Sequence, residues 1–351
     1  MHKGIWIDGA EGEGGGQILR TALSLSILTR QPFEMIRIRA RRRNPGLRPQ
    51  HLAAVRAAAA LSEASVAGDE LGSDCIRFSP QTVRPGEWRF DIGTAGSVSL
   101  LLQTLVFPLS FASAPSRLIL TGGTHVPFSP PLHFVTHHWL PLLNSFGFRF
   151  TVRLERAGFY PRGGGKVVVE IEPVRELSPW TALERGELAG ISGFSFYANL
   201  PESVGVRQTQ AVEKCLSEAG YPHAIETIRL LAVGKNTFVF LLARFTEGRV
   251  AATALGERGT PAELIGKRAC DALLATLRTP ATTDIYLADQ LLLPLSLVPG
   301  TSRYVAPFLS AHMRSNRETI RKFLPAAITM TPHNQTEAVA VRIEGSFPPV
   351  F

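Results

Sequence analysis

Cysteine is scarce in this chain: Cys75, Cys215 and Cys270 are its only three, they lie far apart, and no CxxC pair occurs. An odd, scattered set argues against a disulfide framework and against a structural zinc site, and it points to a reducing compartment, the cytoplasm. No membrane span is expected, because Gln103, Pro108, Pro115 and Arg117 break the longest apolar stretch, Val98 to Leu120. The first residues turn acidic at once and contain no apolar h-region, so no signal peptide is expected. Negative charge is the scarcer sign, with 29 Asp and Glu against 37 Lys and Arg, a formal net charge of +8. That excess suits an acidic partner, nucleic acid or polyphosphate. The 351 residues, 45% of them hydrophobic, are enough for more than one domain and an ample core.

Two common phosphate motifs are missing as well. A dinucleotide fingerprint beginning at Gly12 and Gly14 needs Gly or Ala where Gln17 stands. A Walker A loop ending at Gly165-Lys166 fails because Val167 replaces the metal-binding Ser or Thr, and Tyr160 the first Gly. What is present is GEGGGQILR, Gly12 to Arg20, between the strand-like Ile5-Trp6-Ile7 and an apolar run at helical spacing. Strand, glycine turn and helix N-terminus together offer free N–H groups and the positive end of a helix dipole to an anion. Glu13 in that turn would repel phosphate unless a divalent cation lay between them, which makes it a candidate Mg²⁺ or Mn²⁺ ligand. A tight turn carrying a solvated Glu is the alternative reading of the same residues.

An α/β, or α+β, fold built from repeated units is predicted from the order of elements. Strand Ile5 to Ile7, the glycine turn, a helix, strand Met35 to Arg39, a basic loop and helix Gln50 to Ser62 form one unit. Strand Trp88 to Ile92, turn Gly93 to Ser97, helix Val98 to Leu109, strand Arg117 to Thr121, loop Gly122 to Pro127 and helix Pro131 to Phe146 repeat it. Between Pro173 and Pro280 a self-contained set of strands and helices reads as an inserted domain, and the larger domain resumes after it. The expected division is 1–178, 179–279 and 280–351.

Arg39, Arg41, Arg42, Arg43 and Arg48 fall within ten positions, stiffened by Pro45 and Pro49, and His51 follows on the next helix. Guanidiniums concentrated in this way suit bidentate contact with phosphate, and a solvated charged face is the plainer alternative. His137 and His138 sit among apolar residues, where structural roles are expected. His312 differs: it opens a late helix with Asn316 one turn on, on the same face. A neutral imidazole can attack phosphorus when a neighbour accepts from its other ring nitrogen.

GEGGGQILR, RNPGLRPQHL, DIGTAGS, GGTHVPFSPP, GFYPRGGGKV, YLADQLLLP and HMRSN, in that order over essentially the whole chain, resemble the RNA 3′-terminal phosphate cyclase family. The resemblance implies a large domain of three repeated units, each a four-stranded sheet with two helices, carrying a smaller inserted α/β domain. It also implies ATP and Mg²⁺ or Mn²⁺ as cofactors and an RNA 3′-phosphate end as substrate. By similarity His312 takes AMP from ATP, AMP passes to the RNA 3′-phosphate, and the 2′-hydroxyl closes a 2′,3′-cyclic phosphodiester with release of AMP. Glu13 then matches the metal-binding carboxylate. Gln17, Arg20 and Gln103 match the phosphate region, and Arg39, Arg42 and His51 hold the RNA phosphate or the ATP tail. Pro130, Pro131, Tyr286, Asp289 and Gln290 would bound the adenine, with Asn316 beside the nucleophile.

Arg41 departs from the family, where Gly is common, and adds bulk and charge at the phosphate loop. His125 is assigned no role, and Ser315 replaces a usual Thr. The competing function class is the non-catalytic cyclase-like ribosome-biogenesis branch, which lacks the nucleophilic His. An enolpyruvyl transferase is a weaker third, since the glycine and histidine motifs do not belong to it. The sequence leaves the oligomeric state open.

Overall fold

The computed structural model describes residues 4–346. In the first unit β1 (Ile5–Asp8), α1 (Gly16–Thr29), β2 (Phe33–Ile36), α2 (Pro49–Ser62), β3 (Ser65–Ala67) and β4 (Ile76–Ser79) build a sheet of order β1-β2-β4-β3. β2 buries Phe33 and Met35 on one face, the period-two pattern of a half-covered strand. α1 ends where Arg30 turns left-handed, and α2 begins on Pro49, whose fixed φ suits a first helical position.

The second unit runs through β5 (Glu87–Asp91), α3 (Val98–Ser110), β6 (Ser116–Gly122), α4 (Leu132–Phe134), a π-turn (Val135–Trp139), α5 (Leu140–Ser145), β7 (Arg149–Arg156) and β8 (Gly165–Glu172), in sheet order β5-β6-β8-β7. The single helix expected over Pro131 to Phe146 is therefore interrupted. Pro141 has no N–H to continue the ladder, and the wider turn precedes it.

The third unit opens with β9 (Thr181–Ala182), so it begins before the insertion rather than after it. Next come β10 (Leu188–Ala198), α6 (Glu202–Glu218), β11 (His223–Arg229), β12 (Asn236–Phe245), β13 (Arg249–Leu255) and α7 (Ala262–Leu277), with their own sheet of order β11-β10-β12-β13. α8 (Ile285–Gln290), α9 (Leu292–Ser296), β14 (Gly300–Ala306), α10 (Ala311–Phe323), β15 (Ala327–Pro332) and β16 (Val339–Gly345) then complete the third unit. β9 pairs parallel with β14, β14 antiparallel with β16, and β16 antiparallel with β15. The first two units show the same sequence of pairings, one parallel and two antiparallel. The predicted fold of repeated four-stranded units with helices is thus the observed one.

Two further expectations are corrected. The strand predicted over Met35 to Arg39 stops at Ile36, because Arg37 and Arg39 take left-handed backbone at φ +52° and +55°. The expectation of unpaired cysteines fails too: α6 packs against α7, and Cys215 and Cys270 form a disulfide between them, leaving Cys75 free. A separation of 55 residues hid a pairing that two neighbouring helices create.

The main core joins all three units. α1 packs against both α3 and α10, burying Leu19 and Leu23 with Leu101, Leu105, Met313 and Ile320. This packing sets the N-terminus of α1 beside that of α10, although almost the whole chain separates them.

Candidate active site

Two helix starts and one loop meet here. The glycine turn brings Glu13 to the first turn of α10, where the Glu13 backbone N–H donates to Ser315 Oγ at 2.9 Å. His312, more than half exposed, donates from Nδ1 to Gln17 Oε1 at 2.6 Å. The Gln17 amide in turn donates to both carboxylate oxygens of Asp289 at 2.7 Å, which fixes its carbonyl toward the imidazole. Asn316 Nδ2 donates to the Asp289 backbone carbonyl at 3.2 Å, and Thr21 Oγ1 donates to Asn316 Oδ1 at 2.8 Å. Burial raises the Asp289 carboxyl above its usual range, opposed by the Gln17 hydrogen bonds and by His312. With Nδ1 protonated toward Gln17, the lone pair of His312 lies on Nε2.

Glu13 bonds through Oε2 to Arg42, while its buried Oε1 accepts no hydrogen bond among the described residues and lies 3.8 Å from His312 Nδ1. A buried carboxylate oxygen without a donor could hold a divalent cation only with ligands from outside the protein, since the described residues include no group of three or more His, Cys, Asp or Glu that could hold a metal ion. Arg20 is held between Glu13 and Asp289. Burial pushes its guanidinium down to about 10, so it stays charged at neutral pH.

His51 sits beneath the glycine turn, and a Cβ on Gly16 would collide with its Nε2. The Arg48 backbone N–H points at His51 Nδ1 at 3.4 Å, leaving Nε2–H to donate toward the turn. Burial, then Arg20, Arg39 and Arg48, hold this imidazole down to about 3, so it serves as a neutral donor. Arg39 bonds the carbonyls of Asn44 and Gly46 at 2.6 and 3.0 Å, and burial with the nearby Arg42 and Arg48 lowers its pKa. Arginines held this close repel one another, and a bound polyanion relieves that repulsion.

Gln103 donates to Gln290 Oε1 at 2.7 Å, tying α3 to the end of α8 beside Asp289. Tyr286 presents 65% of its surface on α8, where Asp284 caps the helix by accepting from the Tyr286 and Leu287 N–H groups. Pro130 and Pro131 are half-buried just before α4; no hydrogen bond among the described residues ties them to the cluster. His138 and His137 are structural as expected: His138 is buried against Asp284 at 2.6 Å.

Thr21 was not anticipated from the sequence, and Ser315 was noted there only as replacing a usual Thr. Thr21 follows Gln17 by one helical turn and Ser315 follows His312 by three residues, so face spacing was the available signal. Arg41 lays its stem over Gly14 and donates to the Gly12 carbonyl at 2.9 Å. The bulk it adds is thus packed against the glycine turn.

A repeated-unit α/β scaffold that focuses arginines, a neutral histidine donor and an imidazole with a free Nε2 on one glycine turn belongs to the class of proteins that handle phosphate esters. The family profile of RNA 3′-terminal phosphate cyclase matches residues 11–330. The chain is 44% identical over 344 residues to an RNA 3′-terminal phosphate cyclase of Caldivirga maquilingensis, covering 96% of this chain and 97% of that one. Relatives of the same name from Ralstonia nicotianae and Salmonella agona are 43% and 40% identical, covering 97% and 98% of both chains respectively. The chain belongs to the RNA 3′-terminal phosphate cyclase family and is an enzyme of it.

Proposed function

We propose that this enzyme converts an RNA 3′-terminal phosphate into a 2′,3′-cyclic phosphodiester at the expense of ATP. His312 Nε2 attacks the α-phosphorus of ATP, the bond to the pyrophosphate leaving group breaks, and AMP is held on the ring through a P–N bond. An oxygen of the RNA 3′-phosphate then displaces His312 and takes the adenylyl group. The neighbouring 2′-hydroxyl attacks the activated 3′-phosphorus, loses its proton, and expels AMP. A phosphate monoester has no good leaving group until adenylylation supplies one.

The observation that carries this reading is the relay from His312 through Gln17 to Asp289, at 2.6 and 2.7 Å. Gln17 holds the tautomer with its lone pair on Nε2, and Asp289 holds Gln17. Arg20, His51 and the glycine-turn N–H groups receive the ATP phosphates, while Arg39 and Arg42 receive the RNA phosphate. Tyr286 and Gln290 bound the nucleoside, with Pro130 and Pro131 on its other side, while Gln103 joins Gln17 and Arg20 at the phosphates. A divalent cation on Glu13 would neutralise charge as pyrophosphate departs. The described residues include no helix long and apolar enough to cross a membrane. We place the enzyme in the cytoplasm on the strength of its proposed RNA and ATP substrates alone, since the Cys215–Cys270 disulfide removes the argument from scattered cysteines.

Incubation with α-labelled ATP and Mg²⁺ or Mn²⁺ should give a labelled protein adduct, labile to acid and stable to alkali. His312→Ala and His312→Asn should abolish it. Label retained in both variants would reject the assignment.

A further inference from the structure

The GFYPRGGGKV motif takes no part in the chemistry above, yet the fold brings it to the rim of the site. His51 sits under the glycine turn, and its chain neighbour Gln50 accepts from the Ser97 N–H at 2.8 Å. The Gly93–Ser97 loop therefore rests on the N-terminus of α2. Gly163 lies against the far side of that loop: a Cβ there would stand 2.7 Å from the Thr94 carbonyl and 2.9 Å from Ala95 Cα. Gly163, at φ +64°, also donates its N–H to the Phe159 carbonyl at 2.7 Å. This closes a tight loop that leaves Tyr160 67% exposed and Arg162 exposed beside it.

A second segment joins the same rim. His125 is bridged to Phe159, and three residues on Phe128 is fully exposed with φ +61°. A bulky aromatic held in left-handed backbone and presented wholly to water is a strained arrangement with no gain in folding to offset it. Arg156, which donates to the Gly164 carbonyl at 2.9 Å, and Lys235 add exposed positive charge nearby. Of the acids near these loops, Glu155 is engaged by Arg153 and Lys166, and Asp91 accepts from the Gly93 N–H.

We propose that Tyr160, Arg162 and Phe128 form a platform for the single-stranded RNA that leads into the 3′-phosphate site. Bases stack on the two rings, and Arg162 meets the backbone phosphates. Aromatic faces interleaved with cations, continuous with a phosphate site through Gln50 and the Gly93–Ser97 loop, are the requirement for sequence-tolerant single-strand binding. The inference rests on the function proposed above, and a single strand is favoured because its bases are free to stack.

The test compares wild type with Tyr160→Ala, Arg162→Ala and the double variant, all at exposed positions. Binding and cyclisation of a 3′-phosphorylated ten-nucleotide RNA are measured beside cyclisation of a 3′-phosphorylated dinucleotide and RNA-free labelling by α-labelled ATP. Each single variant should raise Kd and KM for the ten-mer about tenfold and the double variant more, through loss of a stacked base at Tyr160 and of a backbone-phosphate contact at Arg162. Dinucleotide turnover and self-labelling should stay at wild-type levels, and Tyr160→Phe should restore ten-mer binding. Unchanged ten-mer binding in the double variant would overturn the platform, and would do so equally if that surface instead receives a protein. Equal losses on ten-mer and dinucleotide would overturn it too. A wild-type protein that neither labels nor cyclises defeats the proposed reaction instead, and the ten-mer binding comparison still decides the platform.

Discussion

His312 Nδ1 lies 2.6 Å from Gln17 Oε1, joining the first turns of two helices that are 295 residues apart in sequence. Removing that acceptor frees the ring to rotate and to protonate on Nε2. Gln17→Ala should therefore slow formation of the labelled adduct about a hundredfold, about 2.7 kcal/mol in barrier height. The melting temperature should move little, since Gln17 is only half-buried. A single-turnover labelling experiment at saturating ATP checks this, and a wild-type rate would remove Gln17 from the relay.

Arg42 is half-exposed and paired with Glu13. Arg42→Ala should lower kcat/KM for 3′-phosphorylated RNA by about ten- to a hundredfold, the value of one charge-assisted contact of about 1.5–3 kcal/mol. Arg42→Lys should recover only part, because an ammonium lacks the guanidinium fork. An unaltered rate with Arg42→Ala would take Arg42 out of the site, and an unchanged melting temperature would show that the fold survives the substitution.

Gly14 has φ +59°, and the stem of Arg41 occupies the place of a Cβ at 2.8 Å. Gly14→Ala should cost about 1–2 kcal/mol in backbone strain alone and displace Arg41 in addition. Pairing it with Arg41→Gly should relieve the second cost and leave the first. The coupling is read from melting temperatures in a double-mutant cycle. Simple additivity of the two substitutions would show that the stem and the glycine do not share that space.

Burial holds His51 and His125 down to about 3, and also lowers His133, His137 and His138. These rings are neutral in the folded state, whereas in the unfolded chain they gain a proton below about pH 6.5. The unfolded state therefore binds more protons between about pH 6.5 and 3, and stability falls as pH is lowered through that window. Their contribution is fully present above pH 6.5. The melting temperature should be level from pH 7 to 8 and decline steadily from pH 6 to 4. His125 bonds His133 at 2.7 Å within the aromatic seam of Phe159, Phe196 and Phe238. Replacing both rings, as in His125→Phe with His133→Leu, should flatten that decline, and an unchanged slope would assign it to other groups.

Much of the site was legible because its chemistry is local in sequence. The three glycines before α1, the arginine run before α2 and the histidine at the start of α10 each sit at a helix N-terminus or the loop leading into one. Glycine and arginine in such places have few structural uses. The partners of Thr21 and Ser315 were not legible, because a hydroxyl inside a helix carries no mark of its partner, and each gains one only where α1 and its glycine turn meet α10. Strands β3, β4, β7, β8, β9, β13 and β14 also passed unread. β3 and β4 span three and four residues, and exposed charges dilute the apolar pattern of β7.

The chain's own order of residues determined which elements form and where their anion-binding ends lie, since helix starts, glycine turns and apolar periodicity are properties of neighbours. Only the tertiary structure decided that Cys215 meets Cys270, that the third unit borrows β9 from before the insertion, and that Asp289 orients Gln17 toward His312. Each of those is a contact between segments far apart along the chain. Its energy comes from packing that no single segment can supply, so no single segment announces it.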